Sequence, residues 1–151
     1  MFSFFRKQEF FSPEEKKLIV EAIQNAEKNT SGEIRVFVEN RCSYMDAIDR
    51  AGEIFYNLDM QKTAQRNGVL VYVALTDHQL ALFGDEGIHQ KVGTAFWQKE
   101  VSQMIKNFNK ENYADGIKQC VLDIGEALQS HFPYDGKTDK NELPDDIVFG
   151  R

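Results

Sequence analysis

The feature that most constrains this chain is one apolar run, Val69-Leu70-Val71-Tyr72-Val73-Ala74-Leu75, entered through Gly68. A run this short and this rich in β-branched residues is a strand. Because it lacks polar alternation, both of its faces must be covered. The segments around it supply the cover. Ser12 is a natural N-cap, Pro13 fits the first helical position and Glu15 closes a capping box. Leu18, Ile19, Ala22, Ile23 and Ala26 then recur at helical spacing. That helix should stop near Lys28, where Asn29-Thr30-Ser31-Gly32 is turn chemistry.

Glu33 to Glu39 alternates as a strand, with Ile34, Val36 and Val38 on one side and Arg35, Phe37 and Glu39 on the other. A second helix follows, with Ser43 and Asp46 as its cap pair and Tyr44, Ala47, Ile48, Ala51, Ile54, Phe55 and Leu58 as its apolar stripe. Strand, helix, strand is the pattern of a right-handed crossover, so the two strands run parallel. Thr76-Asp77-His78-Gln79 is a polar turn, and Leu80 to Phe83 returns antiparallel.

The rest is helical. A short helix over Glu86 to Val92 ends or bends at Gly93, and Phe96, Trp97, Val101, Met104, Ile105 and Phe108 continue the pattern. After Asn109-Lys110-Glu111-Asn112, a last helix carries Tyr113, Ile117, Cys120, Val121, Ile124 and Leu128 before Pro133. The expected fold is α/β: an α/β/α sandwich whose small mixed β-sheet is flanked by helices on both faces. Residues 1–133 read as a single domain, and 134–151 as a flexible C-terminal tail.

Composition narrows the function. Net charge is −6, from 18 basic and 24 acidic residues, and no Lys/Arg stripe offsets it, which argues against nucleic acid as a partner. The aromatic start, Phe2, Phe4, Phe5, Phe10 and Phe11, is interrupted by charge and lacks a signal-peptide core. No stretch approaches the ~20 apolar residues that span a bilayer. The chain therefore reads as cytoplasmic, with no membrane partner. Cys120 reads as a buried free thiol, and spacing leaves pairing with Cys42 open. His78, His89 and His131 lack zinc spacing, and Asp115 and Asp123 read as surface charges.

Strand direction brings three short segments together. The parallel strands begin at Glu33 and Gly68, and the antiparallel one ends at Gly84-Asp85, all at one edge. That edge would carry the Asp85 and Glu86 carboxylates, the Asn67 carbonyl and Glu33, an oxygen set that suits Ca²⁺ or Mg²⁺. Arg66 could grip a phosphate beside such an ion, and helix-start amides near Asp85 could help hold an anion. Taken singly, Asp85 can be only a cap, Asn67-Gly68 only a turn, and an exposed Glu only a solvated charge.

These residues resemble a known family. Thr30-Ser31-Gly32-Glu33-Ile34-Arg35-Val36, Thr63 with Arg66-Asn67-Gly68-Val69-Leu70, and Phe83-Gly84-Asp85-Glu86-Gly87-Ile88 occur in the order and spacing of a TPM domain. Trp97, Tyr113-Ala114-Asp115-Gly116-Ile117 and Asn141-Glu142-Leu143-Pro144-Asp145 extend the match. This module occurs in bacterial proteins and in thylakoid lumen proteins linked to photosystem repair. The resemblance implies an α/β/α sandwich and a divalent-cation site, usually for Ca²⁺, near the acidic loop. It places Asp85 and Glu86 as metal ligands, followed by Asn67 and Glu33. Some plant members are described as acid phosphatases, which makes Arg66 and Asp85 the catalytic candidates and a phosphorylated small molecule or protein the substrate. Many relatives carry a signal peptide and a C-terminal anchor. This chain reads without either, so membrane and photosystem roles are not transferred.

Two functions follow as expectations. One is a divalent-cation-binding domain with metal-dependent phosphatase activity. The other is a non-catalytic Ca²⁺-binding module that senses the ion or docks a protein partner, with the aromatic N-terminus and Ile147-Val148-Phe149 as docking elements. The N-terminal aromatics could equally cover the edge of the sandwich.

Overall fold

In the computed structural model, which describes residues 11–42, 45–134 and 147–150, the apolar run becomes an interior strand, β2 (Gly68–Ala74), buried along its whole length. On one side it pairs in parallel with β1 (Glu33–Glu39), Glu33 lying opposite Gly68 and Glu39 opposite Ala74. On the other it pairs antiparallel with β3 (Gln79–Gly84), Val69 lying opposite Gly84. The starts of β1 and β2 and the end of β3 therefore meet at one edge, as the sequence implies.

One strand was not foreseen. β4 (Ile147–Phe149) pairs in parallel with the outer side of β1 and completes the order β3-β2-β1-β4. Ile147-Val148-Phe149, read as a docking element, pairs along the edge of the sheet, where Phe149 stays exposed. Ile147 is buried, and the Lys16 ammonium stands 5.4 Å from the centre of the Phe149 ring. Three apolar residues carry no strand signal alone; the unpaired backbone of β1 supplies the rest.

Helices cover both faces. α1 (Pro13–Glu27) opens with the full capping box between Ser12 and Glu15. Together with α3 (Glu86–Asn109) and α4 (Tyr113–His131) it buries the face of Ile34, Val36, Val38, Val69, Val71 and Val73. Phe11 joins that core, while Phe2, Phe4, Phe5 and Phe10 lie outside the described residues. α2 (Ala47–Asn57) covers the opposite face through Ala51, Ile54 and Phe55, against Phe37, Leu70 and Tyr72. Asp46 holds its N-cap position without a side-chain bond; Ser43 and Tyr44 lie outside the described residues. Gly93 bends α3 with φ 78° and ψ 171°, a backbone conformation that glycine adopts without steric cost.

Two stripe assignments shift. Ile48, on the flank of the stripe in the first turn of α2, is 49% exposed. On α3, Ile105 is exposed and Glu100 is buried between Trp97 and Met104. Both cysteines are free thiols, and burial pushes the Cys120 thiol well above its ordinary pKa.

Candidate functional site

At the sheet edge the loop before β2 crosses the start of α3. Arg66 takes up the left-handed region (φ 53°), uncommon for a side chain without local hydrogen-bonding capacity. Its guanidinium forks onto Asp85, with Nε 2.7 Å from Oδ2 and Nη2 2.8 Å from Oδ1, and Nη1 reaches Glu86 Oε1 at 3.1 Å. The Asp85 carboxylate holds the guanidinium pKa above its usual value. Asp85 is 2% exposed and also caps α3, its Oδ1 accepting the Glu86 N–H at 2.8 Å. Arg66, Asp85 and Glu86 are thus brought together.

The first two amides of α3 are not free for an anion. The Glu86 N–H is held by Asp85, and the Gly87 N–H donates to the Arg66 carbonyl at 2.8 Å. This revises the expectation from sequence: a cap residue and a crossing loop have taken the donors that a helix N-terminus otherwise offers.

Asn67, next in sequence to Arg66, is 1% exposed. Its N–H donates to Thr63 Oγ1 at 3.1 Å, its carbonyl accepts the Glu33 N–H at 3.3 Å, and its Nδ2 donates to Ser31 Oγ at 3.1 Å. Its Oδ1 has no hydrogen-bond partner among the described residues. Glu33 is buried at the start of β1 and tied to Asn67 through its backbone. Among the described residues, no three His, Cys, Asp or Glu side chains cluster to hold one ion, so Glu33 does not join Asp85 and Glu86 in a ready-made carboxylate cage.

The donors nevertheless suit a hard cation. Asp85 and Glu86 already share one cationic group, and a buried amide oxygen next in sequence to Arg66 is unsatisfied. Thr63 is the residue that sequence reasoning underused. It anchors the turn carrying Arg66 and Asn67, through its carbonyl to the Arg66 N–H (3.3 Å) and its hydroxyl to the Asn67 N–H.

Neither nearby hydroxyl is placed as a nucleophile. Thr30 Oγ1 donates to the Leu128 carbonyl, lies against the Phe132 carbonyl and accepts the Gly32 N–H, fastening β1 to the end of α4. Ser31 Oγ is bonded to Gln65 and Asn67, neither of which is a base. Trp97 packs against Gly84 and donates from Nε1 to His89 Nδ1 at 3.0 Å, so it supports the end of β3.

Two further polar groups lie elsewhere. Between α3 and α4 runs a groove of about 1030 Å³ lined by Phe96, Lys99, Glu100, Asp123 and Glu126, among others. Glu100 is 4% exposed, and its pKa is pushed up to about 7, first by burial and then by a hydrogen bond with Asp123. Asp123, read as a surface charge, is thus half-buried against this carboxyl. At the opposite sheet edge, buried Glu39 binds the Tyr72 hydroxyl and accepts from Arg50 Nε and Nη2, each at 2.9 Å.

An α/β/α sandwich with an Arg-bound acidic loop at the edge where β1 and β2 begin defines the class, and the comparisons name it. The TPM domain matches residues 5–127, and the chain belongs to that family. The fold is similar to the NMR structure of the BA42 protein from the psychrophilic bacterium Bizionia argentinensis. The two are 42% identical over 97% of this chain and 99% of that one, with a TM-score of 0.86. The N-terminal domain of the cg2496 protein from Corynebacterium glutamicum is 12% identical, with a TM-score of 0.63 over 92% of this chain and 80% of that one. An N-terminal domain of a protein from P. gingivalis is 17% identical, with a TM-score of 0.67 over 81% and 78%. These last two show the fold alone. No curated protein matches the chain. Among the described residues, no helix is long and apolar enough to cross a membrane.

Proposed function

We propose that this TPM domain binds a divalent cation, Ca²⁺ or Mg²⁺, at the sheet edge, with Asp85 as the anchoring ligand and Asn67 and Glu86 as further oxygen donors; Glu33, expected from sequence as a fourth donor, is left out because it does not cluster with the two carboxylates. The observation that carries this reading is the buried Oδ1 of Asn67, the residue next to Arg66, which has no hydrogen-bond partner among the described residues. An orphaned amide oxygen costs stability unless something binds it, and a hard cation is a suitable partner. When bound, such an ion polarises a phosphoryl oxygen and lowers the pKa of bound water.

The chain's own contribution to a phosphoryl ligand would come from Arg66, whose planar fork matches two phosphoryl oxygens. That supports a phosphorylated small molecule or protein as the ligand, with phosphomonoester hydrolysis as the reaction. The non-catalytic alternative is favoured by Thr30 and Ser31, whose hydroxyls have neither a carboxylate nor an imidazole as a hydrogen-bond partner among the described residues. In that reading the ion is sensed, or helps dock a protein partner.

The test is a calorimetric titration of metal-stripped protein with Ca²⁺ and then Mg²⁺, repeated on Asp85→Ala checked for folding by circular dichroism. Saturable binding lost in the variant is the expected result. Folded wild type that takes up neither ion refutes the cation site. Metal-dependent turnover of p-nitrophenyl phosphate, absent in Asp85→Ala, selects the phosphatase; ion binding without turnover selects the binding module.

A further inference from the structure

We propose that the Arg66 guanidinium is a built-in stand-in for the cation at Asp85. Binding a divalent cation displaces it, and the freed guanidinium then grips a phosphoryl oxyanion. The proposal rests on the cation reading above and adds an order to it: cation first, anion second.

The argument begins with lone pairs. A carboxylate offers about four acceptor sites. Asp85 Oδ1 already accepts Arg66 Nη2 and the Glu86 N–H, and Oδ2 accepts Arg66 Nε. No chelating pair of oxygens is left while Arg66 stays, and two positive centres cannot share one carboxylate without strong repulsion.

Of the two partners, only Arg66 can move. Asp85 is buried and fixed as the cap of α3, and its N–H is bonded to the Gly68 carbonyl at 2.9 Å. The Arg66 side chain is 36% exposed. Its backbone is pinned, through Arg66 N–H to the Thr63 carbonyl and Arg66 carbonyl to the Gly87 N–H. Displacement is therefore a rotation of the side chain alone, which keeps the guanidinium tethered at the mouth of the site.

Charge gives the direction of the coupling. With Arg66 in place, one positive group faces the carboxylates of Asp85 and Glu86. Three of its five N–H donors, including the Nε–Nη2 fork, are spent on those carboxylates, so it has less to offer a phosphate. Once a divalent ion neutralises those carboxylates, the guanidinium is left as a free forked cation and becomes an oxyanion site. A ligand that binds one state better than the other shifts the balance by that difference in affinity, and the coupling is reciprocal.

The experiment compares wild type with Arg66→Gln, and with Arg66→Lys, which keeps the charge but loses the fork. Metal-stripped proteins are titrated with Ca²⁺ by calorimetry, and the Arg66 Nε–H resonance is followed by ¹⁵N NMR in wild type. If Arg66 competes with the ion, Arg66→Gln binds Ca²⁺ about tenfold more tightly than wild type. The Nε–H signal also leaves its Asp85-bonded position as the ion saturates. Inorganic phosphate then binds the Mg²⁺-loaded wild type and fails to bind the Mg²⁺-loaded Arg66→Gln.

Equal or weaker Ca²⁺ binding by Arg66→Gln, an Nε–H signal that stays in place at saturation, or equal phosphate binding by both proteins overturns the exchange while leaving the cation site standing. Absence of Ca²⁺ and Mg²⁺ binding in wild type and both variants overturns the cation reading as well. Should Arg66→Gln not fold, Arg66→Met is judged by the same criteria, while Arg66→Lys tests the fork alone: its Mg²⁺-loaded form is expected to bind inorganic phosphate more weakly than wild type, and equal binding overturns the exchange.

Discussion

The Arg66 carbonyl accepts the Gly87 N–H at 2.8 Å, which locks the turn before β2 onto the first turn of α3 and sets Arg66 over Asp85. The contact exists because residue 87 has no side chain. A Cβ there would overlap the Gln65 carbonyl oxygen and lie 2.6 Å from the Arg66 oxygen. Backbone cannot yield as a flexible side chain can. Gly87→Ala is therefore expected to cost at least about 2 kcal/mol in denaturant unfolding. It should also splay the Arg66–Asp85 pair, visible as a changed Arg66 Nε–H environment. A variant as stable as wild type would show that the loop has room to shift.

Thr63 carries the other half of this geometry. Its hydroxyl accepts the buried Asn67 N–H, and its carbonyl accepts that of Arg66. Thr63→Val keeps the shape but removes the acceptor, leaving an amide without a partner. We expect a loss of about 1–3 kcal/mol and weaker Ca²⁺ binding, because Asn67 and Arg66 are no longer held. The measurement is paired urea unfolding and calorimetry; an unchanged midpoint with unchanged affinity would assign the turn's rigidity to other contacts.

How much of this was legible in the sequence depended on range. The Ser12–Glu15 box and the Gly68–Ala74 strand are local signals and could be read directly, and strand direction was enough to bring Glu33, Asn67 and Asp85 to one edge. The pairing of Arg66 with Asp85 spans 19 positions and depends on the register of β2 against β3, which no local pattern reports. β4 was invisible for the same reason: Ile147 becomes a strand residue only where β1 leaves backbone groups unpaired. Glu100 did leave a trace, standing three residues after Trp97 and four before Met104, on the buried stripe itself. A charge in that position marks a buried titratable group.

Glu100 should make stability depend on pH near neutrality. Its folded-state pKa, about 7, lies above the 4.5 of the unfolded chain, so between those values the folded protein binds more protons than the unfolded one. Stability is therefore highest below the unfolded pKa, falls as pH rises from about 4.5 to 7, and levels off above that. The groups facing it are Asp123 and Glu126 from α4, which favour the protonated form, and Lys99 from its own helix, which opposes it; the Cys120 thiol lies within electrostatic reach. Glu100→Gln keeps the shape of the protonated acid and should remove most of this slope, gaining about 2 kcal/mol at pH 8. Thermal unfolding at a series of pH values reads the effect. A parallel slope in the variant would mean that another group titrates.

The cluster at the far edge of the sheet should behave in the opposite way, failing when a partner is removed. Glu39 is buried, and its carboxylate is satisfied by two donors from Arg50 and by the Tyr72 hydroxyl, whose own pKa is pushed up, first by burial and then by that bond. Arg50 in turn has its pKa raised, chiefly by the hydrogen bond to Glu39, so it remains charged at any pH the fold survives. Removing one member of a buried ion pair leaves the other charge uncompensated, which costs more than the pair contributed. Arg50 is partly exposed, so water can replace some of what is lost, and Arg50→Met is expected to cost about 2–4 kcal/mol. Adding Glu39→Gln should recover most of that loss, because the stranded charge is gone. A double-mutant cycle by urea denaturation decides it: strong coupling between positions 39 and 50 supports a paired buried charge, whereas additive losses would mean that Glu39 is satisfied without Arg50.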